Sequence, residues 1–133
     1  MIKHGVVSSV QAKFCSVRVN FSDRDNLVSA WLPVLQPACA GNKFFSLPKV
    51  GDNVVCVFEH NADDGTGFVL GSFYNDKNRP PSTNKKSVVI KFEDGAEIRY
   101  ASGKLTISGV DEINITCGEK FKVRAPTIDI KEG

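Results

Sequence analysis

The residues able to do chemistry in this 133-residue chain are few and scattered. There are two histidines, His4 and His60, and four cysteines, Cys15, Cys39, Cys56 and Cys117. No two cysteines lie closer than 17 positions, so no C-x-x-C metal or redox pair forms. Metal sites and proton transfer usually recruit histidine, which is nearly absent. None of H-E-x-x-H, G-x-S-x-G, the P-loop or G-x-G-x-x-G occurs. Glu93, Asp94 and Glu97 could supply the paired carboxylates of a glycosidase, but they flank Gly95, where a solvated turn accounts for them. Asp63-Asp64-Gly65, beside His60, lacks the ligand pattern of an EF-hand loop and reads as a solvated turn. Lys43-Phe44-Phe45 is the one basic–aromatic cluster that could stack single-stranded nucleic acid. Its simpler reading is a loop whose aromatics anchor on the folded domain or on a neighbouring subunit. Trp31 reads as a core or rim aromatic before a ligand platform. These residues point away from an enzyme, and no cofactor or metal is expected.

Composition narrows the class further. Seventeen Lys and Arg against fifteen Asp and Glu leave a formal charge of +2, too balanced for a nucleic-acid footprint. The longest apolar run, Val54 to Phe58, is far short of the roughly 20 residues of a spanning helix. Met1 to Gly5 shows no signal-peptide h-region, so synthesis in the cytoplasm with reduced cysteines is the expectation.

The elements that must position these residues are strands. Alternation of apolar and polar residues runs throughout, and helical periodicity is hard to find. Strands are expected at Gly5–Val10, Phe14–Phe21, Val28–Leu32, Asn53–Glu59 and Phe68–Phe73. The fourth is almost continuously apolar and so expected to be buried on both faces. Five strands with one long connection, 36–51, fit a small OB-like barrel over residues 1–75. Trp31, Pro48, Gly51 and Gly71 are its expected structural residues, with Gly71 at a bulge or tight corner. Residues 76–86 contain Pro80-Pro81 and otherwise only polar side chains, the composition of an extended linker.

From Ser87 onward the pattern changes to a repeat. Apolar pairs two apart recur as Ile90/Phe92, Ile98/Tyr100, Leu105/Ile107, Ile113/Ile115, Phe121/Val123 and Ile128/Ile130. Their first members are separated by 8, 7, 8, 8 and 7 residues, with Gly95, Gly103, Gly109 and Gly118 between pairs. Residues i and i+2 point to opposite sides of a helix, so this is a β repeat with one dry face and one wet face. Burying that face needs either a meander folded back on the barrel or copies of the chain around a shared axis. Three chains around an axis make a closed prism without free edges, and the regular repeat and the linker favour it. The expected fold is therefore all-β: an N-terminal OB-like five-stranded barrel followed by a C-terminal triple-stranded homotrimeric β-helix or prism over 87–133.

The order of parts resembles a known family. Gly5-Val6-Val7, Val17-Arg18-Val19 and Ala30-Trp31-Leu32-Pro33-Val34-Leu35 are followed by Leu47-Pro48-Lys49-Val50-Gly51-Asp52-Asn53-Val54 and by Gly67-Phe68-Val69-Leu70-Gly71-Ser72-Phe73-Tyr74. With the repeat behind them, they are similar to the baseplate assembly protein V family of contractile-tailed phages, related to R-type bacteriocins and to the VgrG spikes of type VI secretion. The resemblance implies a homotrimeric central spike, docked to the baseplate hub and tail tube and assembled into a virion tail or tail-like particle. It implies a mechanical role, piercing the target outer membrane, and no nucleic-acid partner. Some members end in a His-x-His iron site, which this chain lacks after His60. Residues Ile128, Asp129, Ile130, Lys131, Glu132 and Gly133 are then the expected contact for a separate PAAR-like tip protein. The rival reading is an OB-type module binding single-stranded nucleic acid or another ligand.

Overall fold

The computed structural model describes residues 1–59 and 66–133, and of Arg24 only the backbone. His60 and Asp63-Asp64-Gly65 lie outside the described residues. The chain divides into two compact units, Met1–Pro80 and Pro81–Gly133.

The first unit is one curled antiparallel sheet. Its strands are β1 (Ile2–Gln11), β2 (Ser16–Phe21), β3 (Leu27–Val28), β4 (Leu32–Pro33), β5 (Asn53–Phe58) and β6 (Gly67–Phe73). They run in the order β3-β2-β1-β5-β6, with β4 also on β2. Strand alternation puts Val7, Val17, Val19, Phe21, Leu32, Val54, Cys56, Phe58 and Val69 on one concave face as the core. Phe21 and Phe58 meet there edge to face, 6.0 Å between centroids.

Four expectations need correction. The third strand is broken in two, because Ser29 to Trp31 leave the ladder between β3 and β4. The sheet is not closed into a five-stranded barrel: among the described residues its far edges are bridged at Val34 and Val69, in parallel, where Leu35 N–H donates to the Val69 carbonyl at 3.0 Å. Strand β5 is buried on one face only, with Val54, Cys56 and Phe58 inside and Val55 and Val57 half-buried. Its apolar run covers a curled sheet whose convex side is also greasy. Cys15 sits outside β2, in a left-handed turn conformation with φ 50°, after the short 3-10 turn Ala12–Phe14.

Glycine is required at two close approaches. A Cβ on Gly5 would lie 2.5 Å from the Asn20 carbonyl oxygen, and one on Gly67 would lie 2.6 Å from the Phe58 ring it pairs with. Gly71 differs. The β5–β6 register slips beside it, leaving Leu70 extra, yet nothing lies within 4 Å of where its Cβ would be. The bulge therefore does not depend on glycine there.

The second unit contains β7 (Val88–Lys91), β8 (Glu97–Ala101) and β9 (Lys104–Ser108), an antiparallel sheet in the order β7-β8-β9. The β8–β9 loop has two residues, Ser102 at φ 52° and Gly103 at φ 81°, the positive pair that a type I′ hairpin needs. Six short strands were expected from the repeat and three form. Residues 110–133 carry no strand in the single chain. The segment expected as an extended linker is instead folded into local turns: Asn75 Oδ1 accepts from Lys77 and Asn78 N–H, and Ser87 N–H donates to Asn84 O.

Candidate assembly interface

The apolar pairs of the repeat align across the three strands. Val88 faces Tyr100, which faces Leu105, and Ile90 faces Ile98, which faces Ile107. One face of the sheet is thus a block of six large apolar side chains, including Val88, which the pairwise spacing overlooks. The opposite face carries Lys91, Glu97, Arg99, Lys104, Thr106 and Ser108, with Val89 and Ala101 among them. Arg99 Nε donates to Glu97 Oε1 at 2.9 Å. That hydrogen bond, with the positive charges of Arg99 and Lys91, holds the Glu97 carboxyl below its ordinary range.

Phe92 pairs its N–H with Ala96 O, Gly95 N–H returns to Phe92 O, and Asp94 Oδ1 accepts from Ala96 N–H. Gly95 takes φ 99° to close this turn. Asp94 and Glu97 are thus engaged in a turn and an ion pair, as solvated-turn carboxylates are. Gly109, at φ 72°, lies close over the same turn, where a Cβ would be 3.1 Å from Ala96 Cα. Ala96 is the buried residue of this unit.

No other side chain of the second unit is buried among the described residues. Of the twelve apolar residues of the repeat, only Ile98 is half-buried; the rest run from 48% exposed at Phe92 to 89% at Ile130. Ile113, Ile115, Phe121, Val123, Ile128 and Ile130 also lie on a backbone that makes no backbone–backbone hydrogen bond among the described residues. An extended segment with open N–H and C=O groups and one apolar row is an assembly edge. Within residues 128–133, Lys131 pairs with Asp129 at 3.5 Å and both isoleucines stand in the open.

The expected structural residues of the first unit fall at three places. Pro48 precedes the turn Lys49–Asp52, in which Gly51 adopts φ 101° and donates its N–H to Val7 O, while Asp52 Oδ2 accepts from Lys49 N–H. This turn delivers β5 onto β1. Trp31 is 41% exposed, a surface position, with the Arg18 guanidinium 5.8 Å from its ring centroid. Arg18 Nε also donates to Ser29 O. Ser29, which sequence patterning passes over, is buried at the strand break. Its N–H donates to Val19 O and its hydroxyl accepts from Val19 N–H at 2.9 Å, replacing the missing ladder partner. All four cysteines are free, and burial pushes the Cys56 thiol up to about 11. No group of three or more metal-ligating side chains occurs among the described residues. With histidine only at positions 4 and 60, the chain does not fit a His-x-His iron site.

Comparison with known proteins places the first unit in a family. Residues 3–74, more than half of the chain, match the family model of the type VI secretion system and phage-baseplate injector OB domain. A spike protein of Escherichia phage P2 is 26% identical over 135 aligned positions, covering 98% of this chain. The chain spans 61% of that relative's length. The matched stretch runs from the second residue of β1 to just past β6, and the chain belongs to the phage-baseplate and type VI injector OB-domain family, that of the baseplate assembly protein V spikes.

Proposed function

We propose that this chain forms the central spike of a contractile injection baseplate as a parallel homotrimer. The observation that carries the reading is the second unit's exposed apolar row, whose second half lies on an unpaired backbone. Each large apolar side chain left wet forfeits about 1.5–3 kcal/mol, so twelve per chain cost on the order of tens of kcal/mol unless covered. Three copies, each offering the same face to one axis, cover it and pair the open edges of 110–133 with each other. The role is mechanical: a stiff prism without free edges transmits the contraction and breaches the target outer membrane. The OB unit docks to the hub and tail tube, so the protein works within an assembled tail. No catalytic step and no cofactor enters this function. A separate tip protein covering Ile128 and Ile130 belongs to the same proposal, and removal of residues 126–133 should abolish its binding.

The test is solution mass. Light scattering on a sizing column should give three times the chain mass of 14.5 kDa, eluting early for its mass. A mass of one chain would overturn the spike.

A further inference from the structure

A second exposed apolar cluster lies in the OB unit. Val34 N–H donates to Cys15 O at 2.9 Å, and Gln36 Nε2 bridges Cys15 Sγ at 3.5 Å and Ser46 O at 3.0 Å. Phe44 N–H donates to Ala38 O at 3.3 Å. These bonds tie the 3-10 turn at 12–14, the end of β4 and both stems of the long connection into one arm. Phe14, Leu35, Phe44 and Phe45 are carried on it, each at least half exposed. The aromatics of Lys43-Phe44-Phe45 therefore do not anchor on the domain that bears them. Monomeric surfaces rarely group large apolar side chains in this way without a partner.

The charge around the arm is one-sided. From Leu27 to Gly51 the sequence has no Asp or Glu, and Lys43 adjoins Phe44. Lys13 Nζ sits 5.4 Å from the Phe14 ring centroid. We infer that this arm is a docking surface for a protein partner whose apolar pocket is rimmed by carboxylates. Aromatic side chains are enriched at such interfaces, and the lysines beside them match an acidic rim. A symmetric contact between two such arms would set lysine against lysine. Single-stranded nucleic acid would find two flanking cations for a run of phosphates. Both fit less well than an acidic protein surface.

The inference rests on the proposed function only in placing the chain among other baseplate proteins. The experiment uses the full chain and the purified hub protein of the same baseplate as probe. Binding is measured by titration calorimetry for wild type, Phe44→Ser/Phe45→Ser and Lys43→Glu, with mass by light scattering alongside. The double variant should bind about 30-fold or more weakly with unchanged mass and Trp31 fluorescence. Lys43→Glu should weaken binding and flatten its salt dependence. Equal affinity of wild type and double variant, or no binding by wild type, would overturn the inference. So would a drop in self-association in the double variant, or wild-type retention of a single-stranded oligonucleotide that the double variant loses. A one-chain mass with hub binding lost in the double variant would overturn the trimer while supporting the arm.

Discussion

Ser29 shows how one hydroxyl lets a strand break without an orphaned donor. Its Oγ takes the buried Val19 N–H at 2.9 Å, so Ser29→Ala should destabilise the OB unit by about 1–3 kcal/mol, read as a lower thermal midpoint with the family fold retained. Gly5→Ala should cost a similar amount, about 1–3 kcal/mol, by overpacking against Asn20 O and Val19. A wild-type midpoint in either variant would remove these assignments. Cys56, buried with its thiol at about 11, should resist alkylation in the native state while exposed Cys39 reacts. Glu97 titrates below its unfolded value because Arg99 and Lys91 favour the carboxylate. A lowered folded pKa adds stability above the ordinary carboxylate range, and that contribution is lost as pH falls through the lowered value. Glu97→Gln should therefore flatten the acid side of the stability profile below about pH 5, a small effect because the pair is solvated.

At the scale of elements, the second unit turns on its hairpins. The I′ loop Ser102-Gly103 and the Gly109 contact on Ala96 set the register that lines up Ile90, Ile98 and Ile107. A one-residue slip would send the whole apolar set to the wet face. Gly103→Val should thus lower the unfolding temperature of the assembled protein, since a β-branched residue at positive φ is strained. Differential scanning calorimetry checks this, and an unchanged transition would mean the loop does not set the register. The alternation that marks these strands was legible in the sequence, as were the turn glycines Gly95, Gly103 and Gly109. Gly118 also lies at a bend of the chain, without the positive φ of the other three. The strand break at Ser29–Trp31 was not legible, because apolar Val28, Trp31 and Leu32 frame it without a Gly or Pro between them. Only the ladder with β2 shows that the hydroxyl has taken over.

At the scale of the whole molecule, one substitution should separate the two units. Ile115→Asp puts a carboxylate into the row proposed to face the axis, where an unpaired charge is costly to bury. The expected result is a mass of 14.5 kDa with the OB unit's thermal transition preserved, since its core residues all precede Pro80. A trimer that tolerates the aspartate would place that row on the outside.

The sequence by itself determined the all-β class, the OB character of the first unit and the family, because alternation and turn residues are local signals that survive without partners. It also determined the apolar row of the tail, since period two is fixed by the strand itself. The tertiary structure decided what depends on chain segments meeting. The curled sheet touches its own edge at Val34–Val69 instead of closing, Trp31 lies under Arg18 on the surface, and Ser29 fills a ladder position. It also decided that three strands pair in the tail of one chain while residues 110–133, where three more were expected, form none. Pairing is a long-range choice, and no residue type announces whether its partner lies in the same chain or in another.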